Sequence, residues 1–144
     1  MYKMIYKQDI LVMYITLLNK KYYIVYNFFK PNCLITYNMK KYYVYVIELN
    51  EEVRTHKKFR ERNPFYIKGN GCMYVGQSSR EPKLRFDQHK EGYKSNKYAK
   101  YYGEKLRPDI YDKYNPIPTR KDALSIEEYL GKKLKSKGAA VWYN

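Results

Sequence analysis

A chain of 144 residues is long enough to bury the core of one ordinary domain and short for two. Its 29 Lys and Arg against 14 Asp and Glu leave a formal charge of +15, a surplus that draws polyanions and weakens as salt rises, so nucleic acid is the first partner to consider and an anionic membrane surface the second. Cys33 and Cys72 alone exclude a disulfide framework or a four-thiolate zinc site within one chain, and the longest apolar run, "ILVMYITLL", is half of what a membrane helix needs and has no cleavage site after it, which points to a cytoplasmic protein that is neither secreted nor membrane-spanning.

Residues 1–38 are rich in Tyr, Ile, Leu, Asn and Phe, hold one acid, Asp9, and lack glycine. They read as strand-like pieces, "ILVMYITLL", "YYIVYNFF" and "CLITYN", joined by "NKK" and "KPN" turns. Met39 offers a second start, which would make this leader dispensable; a hairpin covering a sheet edge is the other reading.

Next, "YYVYVIEL" (42–49) is apolar on both faces except at Glu48, as a central strand buried on two sides would be. Residues 50–71 are charged, contain Pro64 and end in glycines, a long connection of the kind that carries function or disorder. "CMYVGQ" is the following strand, ended at Gly76, where a side chain would crowd an approaching backbone or ligand. A helix opens near Pro82, carries Leu84, Arg85, Phe86 and His89, and stops at Gly92. The second half of "YKSNKYAKYYGEKL" (93–106) also reads as helix, and "RPDIYDKYNPIP" as a proline-bounded loop. The last helix is capped by Thr119 and Asp122 in a T-x-x-D box and ends at Gly138, after which "AAVWYN" adds a short strand. The sum is an α/β fold: a small, mostly antiparallel central sheet flanked by helices, spanning 39–144 behind a strand-rich leader at 1–38.

On the last helix, Ala123, Ile126, Leu130 and Leu134 fall within about 80° of one another at roughly 100° per residue, and Glu127 lies about 20° past Leu134. Glu128 points away. A carboxylate against a core-facing stripe is costly unless it is paired or bound to a metal. A salt bridge to Arg85 or a lysine is one reading of Glu127; a ligand for a hard divalent cation, with phosphate and water supplying the other oxygens, is the other. In the 93–106 segment, Lys94, Lys97, Tyr98, Lys100 and Tyr101 recur at spacings of three and four, offering cations to phosphates and rings to sugars or bases, or simply a solvated basic face.

Taken in order, these residues resemble the GIY-YIG nuclease family. The first half-motif corresponds to "YVY" (43–45), with Tyr43 at the leading glycine position and Tyr45 at the aromatic one. The second corresponds to "YVG" (74–76), the helical arginine to Arg85, a histidine one turn later to His89, the metal-binding glutamate to Glu127 between Ala123 and Leu130, and the late asparagine to Asn144. The connection between the half-motifs, containing "FRERNP", is longer than usual and a candidate specificity element.

The resemblance implies a metal-dependent endonuclease acting on DNA, with RNA as the other substrate, using one Mg²⁺ or Mn²⁺ held by Glu127. Arg85 would present a planar cationic fork to the phosphate, for which Gly76 would leave room. Tyr45 would serve as general base or water positioner and Tyr74 would position substrate or water. His89 would hydrogen-bond the Tyr45 phenol or relay its proton, and the sequence leaves open which of the two takes it. A catalytically inactive nucleic-acid-binding module on the same fold is the alternative.

Overall fold

The computed structural model of the protein describes residues 40–143 and, ahead of them, the backbone of three strands: β1 (Tyr2–Ile5), β2 (Val12–Leu18) and β3 (Lys21–Asn27). The chain divides into two compact units, Met1–Met39 and Lys40–Asn144. In the first, β1, β2 and β3 form an antiparallel sheet in that order, with Ile15 opposite Tyr2 on one side and Ile24 on the other. The expected "CLITYN" strand lies outside the described residues.

The second unit is built around β4 (Tyr43–Leu49). Val44, Tyr45, Val46 and Ile47 are all buried, so the middle of this strand has no wet face, as its unbroken apolar run predicts. Glu48 is the polar exception, and it pairs with Arg107 at 3.0 Å. On one side of β4 lies β5 (Cys72–Ser78) and on the other β6 (Gly103–Leu106), both antiparallel; β7 (Ala140–Trp142) adds to the far edge of β5 in parallel, giving the order β6-β4-β5-β7.

Residues 50–71 are ordered by the core rather than left as an open loop. A 3-10 turn, Glu51–Thr55, is capped by the Asn50 side chain, which accepts the Glu52 N–H at 2.9 Å, and α1 (Lys57–Glu61) follows. Val53 and Phe59 anchor the segment, with the Phe59 ring stacked 6.3 Å from Trp142. Within "FRERNP", Asn63 is buried and accepts the Val141 N–H at 2.7 Å while donating to the Phe59 carbonyl at 2.9 Å. Two of the six "FRERNP" residues within that candidate specificity element, Phe59 and Asn63, are thus core, tying the connection to β7.

Helix α2 (Pro82–Glu91) begins with its proline in the first turn and ends at Gly92, whose φ of 93° is the left-handed stop that glycine adopts without strain. Helix α5 (Arg120–Ser136) starts at Thr119, whose hydroxyl accepts the Asp122 N–H at 3.1 Å. It packs against β5, β7 and β4, burying Ala123, Glu127 and Leu130.

Two sequence expectations are corrected. The second half of residues 93–106 does not continue as helix: α3 (Lys97–Tyr102) is only six residues, and "GEKL" becomes β6. Pairing of Leu49 with Gly103 and Ile47 with Leu106 overrides the helical pattern of that polar stretch. The proline-bounded segment is likewise not all loop, since α4 (Pro108–Tyr111) and a 3-10 turn, Asp112–Tyr114, occupy it.

Candidate active site

In the β4–β5 register Tyr45 lies opposite Gly76, and Ile47 opposite Tyr74. Because side chains alternate along a strand, the two tyrosines issue from the same sheet face, with ring centroids 6.1 Å apart. Gly76 exists for Tyr45 rather than for a phosphate: a Cβ at position 76 would sit 2.6 Å from the Tyr45 hydroxyl oxygen and 2.7 Å from its Cζ. The expected room for a phosphate at this glycine is therefore filled by the phenol ring.

Helix α2 brings two more groups. His89 is fully buried behind Tyr45, its Nε2 2.9 Å from the Tyr45 hydroxyl, and its ring meets Tyr74 edge-on at 5.4 Å. Arg85, one turn earlier, donates from Nη1 to the Tyr93 carbonyl at 3.1 Å and from Nη2 to the Lys94 carbonyl at 2.6 Å, clamping the turn after Gly92. Lys94 has a left-handed φ of 43°, unusual for a side chain of its kind. Glu127 is 2 % exposed, so the helical wheel located a buried carboxylate correctly, whereas exposed Glu128 pairs with Lys132 at 2.6 Å.

Tyr45, Tyr74, Arg85 and Glu127 line one cavity of about 280 Å³ together with Gln77, Lys94, Ser95 and Asn96. The electrostatics follow from crowding. Burial pushes the Tyr45 phenol well above its usual range, Tyr74 adds to the rise and Arg85 opposes it. Tyr74 is raised by burial first and by the Glu127 carboxylate second. His89 is pushed down to about 4, by burial and then by the Arg85 cation, so at neutral pH it is an uncharged imidazole.

Of the expected nucleic-acid contacts, Lys94 reaches the cavity and Lys97 and Tyr101 are exposed. Lys100 is partly buried and folds back toward Gly92. Tyr98 is a correction: it is fully buried, with Phe59 edge-on at 5.2 Å and Trp142 at 4.7 Å, and its ring cannot lie against a nucleic acid. Asn144 lies outside the described residues. Sequence reasoning missed Gln77, Ser95 and Asn96. The only sequence signal for the last is its place as an N-cap, which the structure bears out through the Tyr98 N–H at 2.9 Å.

Among the described residues no group of three or more His, Cys, Asp or Glu side chains is gathered as a metal cluster, and no helix is long and apolar enough to cross a membrane. No curated protein and no solved structure matches the chain. The family model of the GIY-YIG catalytic domain matches residues 41–140, which take in both half-motif strands, the Arg85 helix and the Glu127 helix. That match covers more than half of the chain, and the protein belongs to the GIY-YIG family of nucleases.

Proposed function

We propose that the protein is a metal-dependent endonuclease that hydrolyses phosphodiester bonds in DNA. The observation that carries this reading is the convergence of two phenols, a guanidinium and a carboxylate from β4, β5, α2 and α5 on one polar cavity. Phosphodiester hydrolysis needs an oriented water in line with the leaving oxygen and positive charge on the phosphoryl oxygens. Arg85 and Lys94 supply fixed charge to the phosphate, the Arg85 guanidinium being held by the Tyr93 and Lys94 carbonyls and hydrogen-bonded to the Tyr45 hydroxyl.

Tyr45, as the phenolate left once its own proton has passed through the cavity to solvent, orients the attacking water and takes its proton, held in place by Gly76 beneath and His89 behind. Tyr74, on the same face, positions the water or a substrate oxygen. Glu127 suits a hard cation such as Mg²⁺ or Mn²⁺, because such ions bind through one or two carboxylates and take their remaining oxygens from water and phosphate. When bound, the ion would supply charge neutralisation at the leaving oxygen. The +15 charge draws the duplex in, without sequence information.

A plasmid-nicking assay with Mg²⁺ or Mn²⁺ tests the proposal, run beside an RNA substrate and alongside Glu127→Gln and Arg85→Ala. Wild type is expected to nick supercoiled DNA, and both variants to bind it while cutting at least ~10²-fold more slowly. Binding by wild type with no cleavage under either cation would favour a catalytically inactive nucleic-acid-binding module.

A further inference from the structure

The His89 imidazole has three hydrogen-bonding partners, and one of them settles its proton. Nε2 faces the Tyr45 hydroxyl at 2.9 Å. On the other side of the ring, Nδ1 lies 3.2 Å from the Ser95 hydroxyl and 3.3 Å from the main-chain nitrogen of Asn96. A hydroxyl can donate or accept, so neither Tyr45 nor Ser95 decides the tautomer. A main-chain N–H only donates. Nδ1 must therefore offer its lone pair to Asn96, and a neutral imidazole then carries its hydrogen on Nε2. The Ser95 hydroxyl is satisfied without a proton from Nδ1, since it donates to the carbonyl of His89 or Asn96, each 3.0 Å away.

We infer that the Asn96 main-chain N–H, held by the Tyr93–Ser95 turn, locks His89 in the Nε2–H tautomer and makes it a hydrogen-bond donor to Tyr45 rather than the acceptor of the Tyr45 proton. Ser95 and Asn96 are on this view positioning residues of the site, and Arg85 shares the task by clamping the carbonyls of Tyr93 and Lys94. The inference rests on the proposed role of Tyr45 and decides how the phenol is prepared. The His89 N–H occupies one lone pair of the Tyr45 oxygen, and the phenol hydrogen is directed away from the imidazole. Proton loss from Tyr45 must then go toward the cavity, and the resulting phenolate is stabilised by the Nε2–H instead of facing a newly formed imidazolium.

Two measurements on the full chain test this. Nitrogen-15 NMR of the imidazoles reads the tautomer without any need for activity, and the chain's other histidine, His56, is assigned by His56→Gln. His89 is expected to show a protonated Nε2 and an unprotonated Nδ1; a protonated Nδ1 overturns the inference even if the protein is a nuclease. In the cleavage assay, His89→Gln can still donate an amide N–H from the Nε2 position and is expected to keep kcat within about ten-fold of wild type. His89→Glu cannot donate when ionised and is expected to lose at least ~10²-fold, with KM little changed in both. A glutamine variant that folds but is as slow as the glutamate variant assigns proton acceptance to His89 and overturns the donor role. A protein with the expected NMR signature but no nuclease activity leaves the tautomer lock standing and removes the proposed function instead.

Discussion

The Tyr45 ring lies across the α-carbon of Gly76, so close that a methyl group there would come within 2.6 Å of the phenol oxygen. Gly76→Ala therefore cannot be accommodated by a small shift at the far end of a flexible chain; the whole ring must move, and with it the hydroxyl now 2.9 Å from His89. The variant is expected to lose about 1–3 kcal/mol of stability through overpacking and about 10²-fold in kcat through misplacement of the reacting oxygen. Urea denaturation and steady-state kinetics read the two effects separately. An unchanged kcat would mean that Tyr45 does not act on the substrate.

The same pair shows where sequence reading succeeds and where it stops. The glycine and the tyrosine are both conspicuous in the chain, but that they oppose each other is a matter of strand register, and residues 46–75 between them carry no register signal. Glu127 was legible because helical periodicity is local: its angle beside Leu134 follows from spacing alone, and it is buried. Tyr98 was misread for the converse reason. On the six-residue α3, spacings of three and four among Lys97, Tyr98, Lys100 and Tyr101 wrap nearly half of the circumference, and only tertiary contact with Phe59 and Trp142 says which side is core. Asn96 acts through a main-chain N–H, a group that every residue but proline possesses and no motif can mark.

Arg85 holds two consecutive carbonyls with a planar fork, at 3.1 Å to Tyr93 and 2.6 Å to Lys94. Lysine keeps the charge and loses the fork. Arg85→Lys is expected to lower kcat/KM by ~10²-fold while leaving the salt dependence of nucleic-acid binding unchanged, because the number of cations is the same. Amide exchange within residues 93–96 is expected to speed up in the variant. Exchange as slow as in wild type would show that the turn does not depend on the guanidinium.

His89 makes acid stability predictable in sign. Its pKa in the fold, about 4, lies below its ordinary 6.5, so between those values the unfolded chain binds the proton and the folded one does not. Stability from this group is complete above pH 6.5 and is lost as pH falls through the window toward 4, by about 2 kcal/mol after allowing for relaxation around the charged ring. The groups facing it are Tyr45 and Tyr74 from the sheet and Arg85 on its own helix, and the arginine opposes protonation. Urea titrations at intervals from pH 4 to 7 are expected to show this slope in wild type and a flatter profile in His89→Gln. Equal slopes would assign the acid sensitivity to other groups.

Tyr98 and its neighbour Lys97 predict opposite behaviour from adjacent positions. The Tyr98 ring is enclosed, and its hydroxyl is buried with no hydrogen-bond partner among the described residues. Removing the hydroxyl alone takes away a desolvated polar group, so Tyr98→Phe is expected to be neutral or stabilising by up to about 1 kcal/mol. Tyr98→Ala empties the space against Phe59 and Trp142 and is expected to cost about 3–5 kcal/mol. Neither change should alter the salt dependence of nucleic-acid binding in protein that remains folded, because no phosphate contact is lost. Lys97 is exposed, with its amine 4.9 Å from the centre of that ring. If its amine meets a phosphate, Lys97→Gln lowers the slope of log affinity against log salt by about 0.9 at a cost in stability of at most about 1 kcal/mol from the lost contact with the ring. An unchanged slope in Lys97→Gln would place the nucleic-acid path on a different face from α3, and a slope change in Tyr98→Phe would show that the buried ring takes part in binding after all.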